Sequence, residues 1–147
     1  MNDKSMNDSN FNPLKLENQL CFPLYASSKE IIRSYKPYLD KIDLTYTQYI
    51  AMLVLWEKES VNVKELGEYL YLDSGTLTPV LKKLETKGLI TRTRSKEDER
   101  IINIDITEEG RRLREEAVSI PLAIASCTNI TQEEALILYK ILYKILK

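Results

Sequence analysis

Apolar positions along the chain recur mostly three and four residues apart, so it reads as a run of amphipathic helices interrupted once by strict alternation. Leu14, Leu16, Leu20 and Leu24, then Ile31, Ile32, Tyr35 and Leu39, predict a long first helix. It should open at Asn12-Pro13, an N-cap followed by proline at the first helical position. Pro23 and Pro37 each lack a backbone donor, which predicts a bend or restart near residues 21 to 23 and an end near 37 to 42.

Thr45-Tyr46-Thr47-Gln48 is a capping-box pattern, with Leu44 and Tyr49 placed as a hydrophobic staple, and it opens a second helix that fades into Glu57-Lys58-Glu59. Asn62 and Glu65 repeat the pattern for a short third helix, with Val61 and Leu66 as the staple. Asp73 or Ser74 then caps a fourth helix that runs to Gly88, with Leu77, Val80, Leu81 and Leu84 facing inward. Pro79 removes a bond to the Gly75 carbonyl, so the first turn is expected to be bent.

The alternation lies in 89–94 and 100–106, where Ile102, Ile104 and Ile106 share a face and five polar residues, Ser95 to Glu99, connect the two segments. A hairpin after a helix-turn-helix is the winged form of that motif. Thr107 caps a fifth helix bearing Leu113, Ala117, Ile120 and Ile124, bent by Pro121. Thr131 and Glu134 form the capping box of a sixth, whose apolar surface continues through Leu136, Tyr139, Leu142, Tyr143 and Leu146. The expected fold is mainly α with a small β-wing: a winged helix-turn-helix whose N- and C-terminal helices form a dimerisation lobe. Residues 44–106 make the DNA-binding lobe, 12–43 and 107–147 the dimerisation lobe, and 1–11 a polar disordered tail.

Composition narrows the function classes. With 147 residues, 44% hydrophobic and 29% charged, the chain is of single-domain size and globular in type. No apolar run approaches the roughly 20 residues that cross a bilayer, and no signal-peptide core precedes the fold, so no membrane partner and a cytoplasmic location are expected. The absence of His excludes Ser-His-Asp and Cys-His catalysis and His-ligated metals. Two cysteines, Cys21 and Cys127, make a poor zinc site; no cofactor, no metal and no enzyme are expected.

The net charge of -1 says nothing about nucleic acid, but its distribution does. Between Lys82 and Arg100 seven basic residues face four acidic ones, a local charge of +3. The fourth helix presents Ser74, Thr76, Thr78, Lys82 and Lys83 away from its apolar stripe, Gly75 permits close approach, and Asp73 heads the helix. Small hydroxyls and bases on one helix face suit phosphate and base edges in a major groove. With Arg92, Arg94 and Lys96 in the hairpin, these residues form the expected DNA-binding set. Arg100 is assigned to the minor groove, with Asp98 holding its guanidinium by a charge-assisted bond. The tyrosine-rich stretch Tyr69 to Tyr71 reads as packing. The first, fifth and sixth helices carry more apolar surface than a small winged domain can cover, which calls for a homodimer on a palindromic double-stranded operator.

For Cys21 the residues alone leave two readings open: a small hydrophobe in a core, or a thiol near a helix restarted by Pro23, where the dipole favours thiolate.

The string Leu72-Asp73-Ser74-Gly75-Thr76-Leu77-Thr78-Pro79, with Leu84-Glu85, Gly88-Leu89-Ile90 and the Asp98-Glu99-Arg100 wing, resembles the MarR family of bacterial regulators. Leu20-Cys21-Phe22 points to its organic-hydroperoxide-responsive branch, and the resemblance spans roughly residues 14 to 146. It implies a homodimeric repressor released from DNA when an organic hydroperoxide oxidises Cys21. It further implies that Tyr35 and Tyr46 donate hydrogen bonds to the Cys21 thiolate. Cys127 is then either the resolving cysteine of the other subunit or a bystander, Cys21 being capped instead by a small thiol. Pro23 stands where the family usually has an aliphatic residue. Rival readings are a regulator governed by a small aromatic ligand, and a thiol peroxidase.

Overall fold

The computed structural model describes residues 12–146, so the expected tail at 1–11 lies outside the described residues. Two compact units divide the chain between Ser34 and Tyr35.

In the first unit the expected helix from Asn12 does not form. The Asn12 side chain accepts from the Leu14 amide (2.9 Å), but this cap leads only into a 3₁₀ turn, Leu16–Asn18. The Asn18 side-chain amide donates to the Asn12 carbonyl at 2.8 Å, and Gln19 does the same to Pro13. These side chains take backbone acceptors that a helix would have used. Helix α1 (Cys21–Leu39) therefore opens at Cys21, within the segment where Pro23 predicts a restart. Pro23 sits in its first turn, where a missing donor costs nothing because that donor has no intrahelical partner. Pro37 lies inside the helix, which ends two residues later.

In the second unit, the last residues of α1 lead through a 3₁₀ turn at Asp40–Ile42 and a left-handed Asp43 (φ 51°) to α2 (Tyr46–Lys58). Strand β1 (Ser60–Asn62), α3 (Val63–Leu70), α4 (Ser74–Thr86), β2 (Ile90–Arg94) and β3 (Ile102–Ile106) complete the winged motif. Helices α5 (Glu108–Ala117), α6 (Ile120–Cys127) and α7 (Gln132–Ile145) come after it. All three expected capping boxes form, at Thr45/Gln48, Asn62/Glu65 and Thr131/Glu134. At the end of α4, Gly88 takes φ 73°, its amide donates to the Glu85 carbonyl and the Leu89 amide to Leu84. This Schellman pair needs a residue free of Cβ strain at that point.

Three features go beyond or against the sequence reading. The wing is not a bare hairpin: the sheet order is β1-β3-β2, all antiparallel, with Val61 opposite Ile104 and Arg92 opposite Ile104 from the other side. Pro121 does not bend one helix but separates two, since it occupies the first turn of α6 after a break at Val118 and Ser119. Tyr69 and Tyr71 are exposed, 53% and 59%, which overturns their reading as packing. Tyr71 ends α3 in the left-handed region (φ 54°), and that conformation turns its side chain out of the core.

The core is built from Met52, Leu55, Leu66, Leu77, Leu81, Leu84, Ile90 and Ile104, all essentially inaccessible. Trp56 crosses it and donates its indole N–H to the Gly110 carbonyl at 2.7 Å. No helix among the described residues is long and apolar enough to cross a membrane.

Candidate functional site

Asp73 begins the site. Its carboxylate accepts from both the amide (2.8 Å) and the hydroxyl (2.9 Å) of Thr76, and these bonds hold the carboxyl below its ordinary value. A Cβ on Gly75 would stand 2.9 Å from an Asp73 carboxylate oxygen, so glycine keeps the cap open. The Thr78 hydroxyl donates to the Ser74 carbonyl at 2.6 Å. The Thr76 and Thr78 hydroxyl protons are thus engaged within α4, and outward both side chains present acceptor lone pairs. Such acceptors match the amino donors of adenine and cytosine in a major groove. Among the described residues Ser74 carries no such bond, leaving its hydroxyl free to donate.

An open groove of about 760 Å³ runs beside this helix, lined by Ser74, Thr78, Arg92, Arg100, Lys64 and Tyr71 among others. Four sequence-assigned residues from α4 and the wing thus meet at one surface. Lys64 and Tyr71 join them and had no signal in the sequence, because the α3 face they occupy is defined only once α3 packs on α4. Lys82, Lys83, Arg94 and Lys96 are exposed outside this groove. Lys83 borders a separate recess with Asp40, Asp43 and Lys87.

Two assignments change. Arg92 is not a free cation: its guanidinium donates twice to one Glu85 oxygen, at 2.9 and 2.5 Å, and is three-quarters buried. The Arg92 bond holds the Glu85 carboxyl below its ordinary value. Asp98 does not hold the Arg100 guanidinium. Its side chain accepts from the Arg100 backbone amide at 3.0 Å, and its carbonyl accepts from Ile101, so it shapes the wing turn, and the guanidinium has no partner among the described residues. A carboxylate two residues away reaches the local amide more readily than the tip of a long side chain. Arg94 donates to the Glu99 carbonyl at 3.3 Å, closing the base of the same turn.

The thiol residues are described within their own units. Cys21, in the first, is the exposed first residue of α1. In the second, Tyr35 and Tyr46 stack edge to face, ring centroids 5.0 Å apart, with Tyr49 and Trp56 continuing the cluster. Burial raises the phenols of Tyr35, Tyr46 and Tyr49, so all three remain protonated donors at neutral pH. Neither the Tyr35 nor the Tyr46 hydroxyl bonds to another described residue. Cys127 is the exposed last residue of α6. No cluster of metal-ligating side chains occurs among the described residues.

Comparison with known proteins agrees with this architecture. Residues 33–117 match the model for the transcriptional regulators SarA/Rot. The organic hydroperoxide resistance transcriptional regulator of Bacillus subtilis is 54% identical over 140 residues, 95% of each chain. AbfR of Staphylococcus epidermidis, solved reduced and bound to DNA, is 35% identical with a TM-score of 0.74, covering 89% of this chain and 91% of its own. Its disulfide-formed structure is 34% identical with a TM-score of 0.65, covering 90% and 93%. The relatives are transcriptional regulators and not enzymes. The chain belongs to the winged helix-turn-helix transcriptional regulators of the MarR family, in the branch of the organic hydroperoxide resistance regulators.

Proposed function

We propose that the protein is a redox-sensing repressor that binds palindromic operator DNA as a homodimer and releases it when an organic hydroperoxide oxidises Cys21. The observation that carries the reading is Cys21 itself: an exposed thiol heading a helix, in a chain 54% identical to a regulator named for organic hydroperoxide resistance.

Residues 44–106 serve as the reading lobe. The face of α4 bearing Ser74, Thr76 and Thr78 enters the major groove, Lys82 and Lys83 meet phosphate, and Arg100 on the wing reaches the minor groove. Segments 12–43 and 107–147 serve dimerisation. Support comes from α7, where Leu136, Ile137, Tyr139, Ile141 and Ile145 are all exposed and need a partner surface. Operator DNA places the protein in the cytoplasm.

In the chemical step the Cys21 thiolate attacks the terminal peroxide oxygen. An S–O bond forms, the O–O bond breaks, and the alkoxide leaves and takes up a proton as the alcohol. The sulfur loses two electrons to the hydroperoxide. Tyr35 and Tyr46 act as the donors that steady the thiolate. A Cys127 thiolate of the other protomer then attacks the sulfenic sulfur. The S–S bond forms, the S–O bond breaks, and hydroxide leaves to become water. A disulfide requires sulfurs about 2 Å apart, and that constraint repositions the reading heads. AbfR has been solved on DNA both reduced and overoxidized, and separately in a disulfide-formed state, which supports the disulfide as the form that leaves the operator.

The test is operator binding by reduced protein before and after stoichiometric organic hydroperoxide, with Cys21→Ser and Cys127→Ser alongside. Release should require Cys21, and a disulfide-linked dimer should require both cysteines. Release that persists in Cys21→Ser would return the reading to a ligand-controlled regulator.

A further inference from the structure

Tyr71 occupies a strained position. It is one of three residues between α3 and α4, and it makes the turn in the left-handed region at φ 54°, where a Cβ crowds the following carbonyl and glycine or asparagine is the usual occupant. The Leu72 amide closes the turn on the Gly67 carbonyl at 3.0 Å, and a Cβ on Gly67 would stand 2.6 Å from the Leu72 carbonyl oxygen, so the turn has no room to relax. The ring gains little from the fold in return. It is 59% exposed, and its hydroxyl has no hydrogen-bond partner among the described residues. What Tyr71 offers instead is a rigid ring with a donor at its tip, on the surface.

Tyr71 lines the open groove between α3, α4 and the wing. Ser74 from α4 and Arg100 from the wing line it too, and Ile101 and Ile102 supply apolar surface. Lys64 reaches the same groove and holds Glu68 only loosely, at 3.9 Å with both side chains mostly exposed. Glu68 is the one acidic side chain in the lining, so Lys64 balances it and the donors that remain suit an anion. Duplex geometry says which anion. A single sugar-phosphate strand separates a major groove from the minor groove beside it, so a protein that places α4 in the one and Arg100 in the other must take that strand between them.

We propose that this groove seats one strand of the operator backbone and that Tyr71 is a DNA contact, donating its hydroxyl to a phosphate oxygen of that strand while Lys64 supplies a cation from α3. This deepens the function proposed above: it rests on DNA binding by α4 and the wing, and it is independent of both cysteines. Phosphate contacts fix register without reading sequence, so Tyr71 orients α4 on the duplex and does not choose bases.

The experiment uses the full-length reduced protein, without oxidant, on a fluorescein-labelled duplex that the parent selects from a random pool, and on the same duplex with its sequence scrambled. Tyr71→Phe, which removes one hydroxyl and keeps the ring, should weaken binding roughly ten-fold on both duplexes, the scale of a hydrogen bond to a charged group. Its salt slope should match the parent's because no cation is lost, whereas Lys64→Ala should lower that slope by about 1. Tyr71→Gly should bind at least as weakly as Tyr71→Phe and yet melt a few degrees above the parent, since glycine relieves the left-handed turn. Full affinity in Tyr71→Phe, a lower melting temperature in Tyr71→Gly, or an unchanged slope in Lys64→Ala would overturn the proposal. If the parent selects no duplex at all, DNA binding itself fails and this contact with it. If the variants behave as expected while oxidation leaves binding untouched, the Tyr71 contact stands and the cysteine switch is what fails.

Discussion

Arg92 on β2 and Glu85 on α4 form a forked ion pair, with two guanidinium nitrogens at 2.9 and 2.5 Å from one carboxylate oxygen. The pair fastens the wing to the second half of α4, and it gives an internal partner to a cation that charge counting alone assigns to DNA.

Salt dependence separates these roles. Removing a phosphate contact lowers the slope of log affinity against log salt by about 1, whereas removing an internal tie does not. Lys82→Ala should therefore flatten the salt response, while Arg92→Ala should weaken operator binding with the slope retained. Glu85→Ala combined with Arg92→Ala should cost less affinity than the two single changes added together. Fluorescence anisotropy on an operator duplex across a salt series reads all three.

The guanidinium of Arg100 makes a different prediction. Arg100→Ala should reduce affinity by about 1 to 3 kcal/mol and flatten the preference for A·T pairs under the wing, where a narrow minor groove attracts arginine. Asp98→Ala should give a milder loss, because it loosens the turn around Arg100 without removing its charge. Binding to operators with substituted flanks distinguishes a lost contact from a loosened one.

Acid should weaken the reading helix through its cap. The Asp73 carboxyl is held below its ordinary value of 3.8 by its bonds to Thr76, so the stabilisation is complete above pH 3.8 and is lost as pH falls through the lower folded value. Glu85, lowered from 4.5 by Arg92, behaves with the same sign. Asp73→Asn keeps the acceptor but does not titrate. Its thermal midpoint should lie below the parent's at pH 6, and the gap should narrow progressively as pH falls below 3.8.

Two glycines are sites of close approach. A Cβ on Gly110 would fall 2.3 Å from the Leu89 carbonyl oxygen, and one on Gly67 would fall 2.6 Å from that of Leu72. Both obstacles are backbone and cannot swing away. Gly67→Ala and Gly110→Ala should each destabilise the fold about as much as opening the core with Leu81→Ala, about 2 to 5 kcal/mol, in urea unfolding of the reduced protein.

Features settled by neighbours along the chain are legible in the amino-acid sequence by itself. The capping boxes at Thr45, Asn62 and Thr131, the Gly88 terminus and the alternating isoleucines of β3 depend on contacts within about five residues, or on a repeat that spells out its own buried face. The order helix, helix, helix, hairpin comes from those local signals. Tertiary structure alone decided the rest. Strand β1 exists because Val61 lies opposite Ile104, forty-three positions on, and three residues carry no periodicity of their own. Gln19 and Asn18 unmade the helix expected at Asn12 by taking its carbonyls. Arg92 met Glu85 through chain segments whose approach no local pattern encodes. A side chain's partner across the fold is chosen by how helices and strands pack, whereas its helix or strand is chosen largely by the residues beside it.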